Sequence, residues 1–131
     1  MFNALKFVKT RTLLALVLSL FFVSESVAES LSLEVARAQV SRDLRTEMPI
    51  VKVTFTNASR KAFGDFSNSN LGYPVEIRLD GESLMKAVIR EPITGGVIHI
   101  VNARWPPEKV NDLAARLSKA GARVDVERAP N

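Results

Sequence analysis

The chain has 131 residues, room for one domain, with 18 Lys+Arg against 14 Asp+Glu and a formal net charge of +4. Apolar residues make up 47% and charged residues 24%, a globular balance that excludes a disordered, collagen-like or coiled-coil chain. It has no cysteine and one histidine, which excludes disulfide scaffolds, thiolate zinc, cysteine nucleophiles and polyhistidine metal sites.

The first segment reads as an export signal. Lys6, Lys9 and Arg11 precede an apolar run, Thr12 to Val23, and small residues Ser26 and Ala28 follow. That order of basic start, short apolar core and small-residue cleavage site marks a secretory leader, with cleavage expected after Ala28. Twelve residues are too few for an anchor, since a spanning helix needs about 20. Residues 29–131 would then form a single domain with 15 basic and 13 acidic residues, a net of +2. The signs alternate along the chain, so no nucleic-acid footprint is expected. No second apolar stretch is long enough to span a bilayer. The expected location is the periplasm or the exterior.

Leu31, Leu33 and Val35 alternate as a half-buried strand, and Ala36, Ala38 and Val40 continue on the opposite parity. Such a phase shift implies a β-bulge near Val35-Ala36. Val51, Val53 and Phe55 alternate with Lys52 and Thr54 as a second strand. Asn57 is positioned to cap a helix whose apolar face holds Ala58, Ala62, Phe63 and Phe66, ending in the polar run Ser67 to Asn70. Val75, Ile77 and Leu79 form a third strand. Asp80-Gly81 then predicts a tight hairpin, because the favoured turn needs positive φ at both residues. Leu84 to Ile89 is the return strand, halted by Glu91-Pro92. Gly95-Gly96 gives another turn before a strand over Val97 to Val101.

Trp105-Pro106-Pro107 opens a second helix, with Pro107 suited to its first turn. Val110, Leu113, Ala114 and Leu117 recur at i, i+3, i+4 and i+7, one buried stripe. Gly121 is placed to cap its C-terminus, and Ala122, Val124 and Val126 alternate as a final strand. The order is ββαβββαβ. It implies an α+β fold, a mostly antiparallel sheet with two helices on one face.

Chemistry-bearing patterns are sparse. His99 is the only imidazole, and a Ser-His-Asp set can be drawn with Ser83, but no G-x-S-x-G elbow accompanies it. Glu76, Asp80, Glu82 and Glu91 are candidate paired carboxylates. Glu76 and Arg78 share a strand face and read as a solvated ion pair. No calcium-loop or phosphate-loop pattern occurs, so neither metal nor cofactor is expected. Trp105 is either an exposed partner anchor or a cover for the helix start.

Three motifs carry a family likeness: Asn70-Leu71-Gly72, then Val75-Glu76-Ile77-Arg78-Leu79-Asp80-Gly81, then Val88-Ile89-Arg90-Glu91-Pro92-Ile93-Thr94-Gly95-Gly96. The helix from Glu108 to Leu117, closed by Ala120-Gly121, extends it. This arrangement resembles the head subdomain of the first periplasmic domain of SecD, the protein-export subunit. The likeness extends upstream to the strand and helix from Val53 to Phe66, nearly all of the mature chain. It departs after the double glycine, where Val97 to Pro107 replaces a Gly/Ser-rich segment. The resemblance implies the head's fold and its contact with emerging polypeptide, with no catalytic residues and no translocase activity of its own. The partners it implies are unfolded exported chains or export-channel subunits. Residues expected to carry partner binding are Arg90, Glu91, Gly95 and Gly96, with Trp105 as an anchor. The alternative expectation is a small envelope hydrolase or ligand-binding protein centred on His99.

Overall fold

A computed structural model describes residues 30–130; the leader and its cleavage site lie outside the described residues. The elements are β1 (Ser30–Arg42), β2 (Pro49–Phe55), α1 (Asn57–Ser69), β3 (Pro74–Leu79), β4 (Glu82–Val88), β5 (Val97–Ile100), α2 (Pro107–Leu117) and β6 (Arg123–Arg128). They follow the expected ββαβββαβ order. The six strands form one sheet in the order β4-β3-β6-β1-β2-β5. Every neighbouring pair is antiparallel.

β1 is long because it serves two partners. Its first half pairs with β6, Leu31 opposite Val126 and Leu33 opposite Val124. Its second half pairs with β2, Ala38 opposite Val53. The register slips between Val35 and Arg37, where the parity shift in the sequence places a bulge. One inserted residue moves burial from Leu33 and Val35 to Ala38, leaving Ala36 exposed. The Asp80-Gly81 turn has φ of 51° and 84°, and it joins Leu79 to its partner Glu82.

Both helices bury their apolar sides in one core. Leu33, Val51, Val53, Val124 and Val126 are wholly buried there, with Leu113 and Leu117 of α2. Burying such side chains stabilises by ~1.5–3 kcal/mol each. The α2 stripe is as expected: Val110, Leu113, Ala114 and Leu117 are its buried residues. Gly121 is left-handed at φ 79°. It lies beyond the Ser118 cap, in the turn closed by the Ala122 N–H on the Lys119 carbonyl at 3.1 Å.

α1 departs from the sequence pattern. Thr56, not Asn57, is its N-cap, its Oγ1 accepting from the Ser59 N–H at 3.3 Å. Its buried residues are Ser59, Phe63, Phe66 and Ser67, while Ala58 is exposed. Phe63 meets Phe55 edge-on at 5.6 Å and stacks on Phe66 at 6.3 Å. The helix runs through Ser67 to Ser69, and Asn70 is buried, donating from Nδ2 to the Phe66 carbonyl at 2.7 Å.

Candidate functional site

The sheet order dictates one unusual connection. β4 and β5 are the two edge strands, so the segment between them must cross from one edge to the other. That segment, Ile89 to Gly96, is the one bearing the R-E-P-I-x-G-G pattern. It crosses as a strap over α1.

The strap is pinned at three places. At its start, the Gly72 N–H donates to the Ile89 carbonyl at 2.7 Å and the Ile89 N–H to the Tyr73 carbonyl at 3.3 Å. Ile89 itself is buried. At its middle, the Ile93 N–H donates to Ser67 Oγ at 2.8 Å, and that hydroxyl donates to the Gly64 carbonyl at 2.9 Å. At its end, the Phe55 N–H donates to the Gly96 carbonyl at 2.9 Å. Gly96 has φ 74°, and a Cβ there would come within 2.7 Å of the Arg60 side chain. Only glycine fits that turn against that neighbour.

Between strap and helix lies an open groove of about 470 Å³. Arg60, Lys61, Gly64, Asp65 and Asn68 form the helix wall, and Pro92 and Thr94 the strap wall. Lys61 and Asp65 pair at 3.7 Å, while Arg60 has no ion-pair partner among the described residues. Gly64 keeps the floor low, because a Cβ there would stand 3.7 Å from the Ile93 carbonyl oxygen. The groove is thus an open cleft whose strap wall is held by hydrogen bonds and whose helix wall carries Arg60, without an ion-pair partner among the described residues.

Arg90, Glu91 and Gly95 are exposed on the strap, and Gly96 is buried at its end. Trp105 is elsewhere. It is partly buried against the core, and the Lys109 ammonium lies 5.6 Å from its ring centroid. Lys109 also reaches Glu82 Oε2 at 2.7 Å, tying the start of α2 to the β3–β4 turn. No hydrogen bond or cation–π contact among the described residues joins Trp105 to the strap.

The hydrolase alternative loses its geometry. Ser83 is on β4 and His99 on β5, at opposite edges with four strands between them. His99 is exposed and pairs across the ladder with Lys52. Glu76 and Arg78 do pair, at 2.7 Å, but Glu76 is buried instead of solvated. The Ser83 hydroxyl, then the Arg78 guanidinium, hold its carboxyl below the usual carboxylate range against the opposing effect of burial. Arg78 also binds Glu127 at 2.9 Å. No cluster of three or more potential metal ligands occurs among the described residues. None of Arg90, Glu91, Gly95, Gly96 and Trp105 lines the groove: sequence reading missed all of its lining residues, Arg60 and Gly64 among them, and Ser67, which pins the strap. A glycine interrupting the α1 pattern was their one visible signal.

The SecDF P1 head subdomain family model matches residues 22–122. The chain belongs to this family. Its SecD relatives include the protein translocase subunit of Dictyoglomus turgidum, 38% identical over 74 residues. That of Rhodobacter capsulatus is 36% identical over 74 residues. Each alignment takes in 56% of this chain but only 18% and 13% of the relative. Two solved SecDF structures share the fold. One, in the super-membrane-facing form, has a TM-score of 0.58 at 29% identity, covering 71% of this chain and 13% of that one. The other is of SecDF as a membrane component that enhances protein export; it has a TM-score of 0.58 at 28% identity, covering 75% and 44%. The SecD head is thus a part of the protein-export machinery, and this chain spans less than a fifth of the two SecD relatives. Among the described residues, no helix is long and apolar enough to cross a membrane.

Proposed function

We propose that the chain is an exported, non-enzymatic head module that holds extended protein chains, or export-channel subunits, in the groove between α1 and the strap. Residues 1–28 act as the cleaved leader and residues 29–131 as the working domain in the periplasm. The observation that carries this reading is the strap itself: the R-E-P-I-x-G-G segment supplies Pro92 and Thr94 as one wall of an open groove. A pinned wall lowers the ordering cost of capturing a flexible chain. Arg90 and Glu91 offer exposed charges on the strap that supplies this wall. Gly95 and Gly96 shape the strap's end, and Trp105 braces the start of α2. Arg60 supplies a cation for the carbonyl groups of an extended chain. Translocation by whole SecD lies outside this proposal.

The test places a photo-crosslinking residue at Thr94 of the full chain in living cells, with one at Asp125 on the opposite face as control. Adducts with export-channel subunits or with many exported chains at Thr94, weakened by Arg90→Ala, are the expected result. A Thr94 adduct pattern indistinguishable from the Asp125 control overturns the groove. One unrelated envelope protein in place of export components overturns the export role.

A further inference from the structure

The two free edges of the sheet are built differently. β4 carries a register slip opposite Ile77/Arg78, and its charged residues Glu82 and Lys86 stand in ion pairs. Bulges and charges are the devices that keep an edge from pairing with another chain. β5 has neither. Its four residues pair with β2 in unbroken register, from Thr54 opposite Val97 to Val51 opposite Ile100. No proline, lysine, arginine or carboxylate interrupts Val97 to Val101.

The phase of the ladder shows which backbone groups are free. The Phe55 N–H bonds the Gly96 carbonyl, and hydrogen-bonded pairs alternate in an antiparallel ladder. Ile98 and Ile100 therefore turn their N–H and C=O groups inward to β2. Val97 and His99 turn theirs outward, and Val101, the residue just past the strand, would do the same if the strand continued in phase. Ile98 and Ile100 have buried side chains, while His99 and Val101 are exposed.

The segment Val97-Ile98-His99-Ile100-Val101 reads the same in both directions. An antiparallel strand pair about a two-fold axis sets residue i against a residue counted equally far from the other end. We propose that β5 pairs with β5 of a second copy about an axis at His99, joining two sheets edge to edge. His99 then faces His99, and Val97 faces Val101, each pair exchanging its outward N–H and C=O groups. The side chains that meet across the seam are identical or β-branched, a favourable cross-strand set. The core-facing Ile98 and Ile100 continue the apolar layer across it. A ladder of this length is a small interface, so the association is concentration-dependent. It is independent of the groove, which lies over α1.

The absence of cysteine makes the register directly readable. In a hydrogen-bonded antiparallel pair the Cα atoms lie about 5.5 Å apart, within disulfide range. In oxidised intact cells, the full chain with His99→Cys is expected to form a covalent homodimer, and a Lys86→Cys chain on the guarded edge is not. Val97→Cys and Val101→Cys chains are expected to crosslink when co-expressed and not when expressed alone. Adding His99→Glu to both removes that crosslink: in each subunit the new carboxylate faces Lys52, which favours the fold, but at the seam it faces a second carboxylate. Retained protease resistance shows that the domain remains folded. Three outcomes overturn the proposal: dimer yield at His99→Cys no higher than at Lys86→Cys, a Val97→Cys chain that crosslinks to itself, or a His99→Cys adduct to a different protein in place of the homodimer.

Discussion

The two helices pack on the same sheet, yet they are written in different residues. α2 buries Val110, Leu113, Ala114 and Leu117, an all-apolar stripe. α1 buries two phenylalanines and two serines. Each serine serves a backbone group outside the helix. The Ser59 hydroxyl accepts from the Glu34 N–H of β1 at 2.8 Å, and the Ser67 hydroxyl accepts from the Ile93 N–H of the strap. A helix that only covers a sheet needs apolar side chains alone. A helix squeezed between a sheet and a second layer must also satisfy the polar backbone it covers, because buried unpaired groups are costly.

Removing one side chain from each helix separates the two designs. Leu113→Ala opens a cavity in a wholly buried site and is expected to cost ~2–5 kcal/mol. Urea unfolding should show that loss as a lower midpoint with an unchanged slope. Ser67→Ala is expected to cost ~1–3 kcal/mol, since it strands the Ile93 amide. Its signature is local: hydrogen exchange should rise across Ile93 to Gly96 before it rises in the sheet. Equal exchange throughout the chain after Ser67→Ala would mean that the strap is held by other contacts, and the contrast between the helices would fail.

The contrast also explains what could be read beforehand. The α2 stripe, the Asp80-Gly81 hairpin and the β1 bulge each leave a local signature, because spacing, turn chemistry and parity are set by neighbours in sequence. The role of Ser67 is not local, since its partner Ile93 lies 26 residues away. The polar run does end the helix, as read, but its Ser67 also holds the strap, which the run does not announce. Thr56 and Asn57 are both capable caps, and no periodicity separates adjacent candidates. The R-E-P-I-x-G-G segment was visible as a motif, but its path over α1 follows from the strand order, which sets β4 and β5 at opposite edges. Similarly, Glu76 and Arg78 could be paired from their spacing, but the burial of Glu76 could not. That depends on β6, whose Glu127 stands opposite Glu76.

The polar face offers an acid-sensitive comparison with the strap face. In the folded state the Glu76 carboxyl is held below its ordinary value of 4.5, chiefly by the Ser83 hydroxyl and then by Arg78. A lowered folded value means that the unfolded chain takes up the proton first as pH falls. The stabilisation is therefore complete above about 4.5 and drains away as pH drops through the folded value. Glu76→Gln should lower stability at neutral pH and flatten its decline below pH 4.5. Parallel acid-unfolding curves for the two proteins would place the acid sensitivity elsewhere.

Gly64 tests the strap face with the opposite sign. A glycine in a helix interior lowers stability by about 0.5–1 kcal/mol relative to alanine, through backbone freedom in the unfolded chain. A Cβ at Gly64 would meet the Ile93 carbonyl oxygen at 3.7 Å and Thr94 Cγ2 at 3.9 Å, both ordinary contacts. Nothing in the folded state therefore offsets the gain, and Gly64→Ala should raise the thermal midpoint. The added methyl also fills the floor of the groove between Arg60 and Thr94. If the groove holds a polypeptide, the more stable protein should give fewer Thr94 crosslinks. A stabilised variant with undiminished crosslinking would mean that the captured chain does not use the groove floor at Gly64. A destabilised one would mean that the strap has no room to accept even a methyl group, and that the groove is tighter than its walls imply.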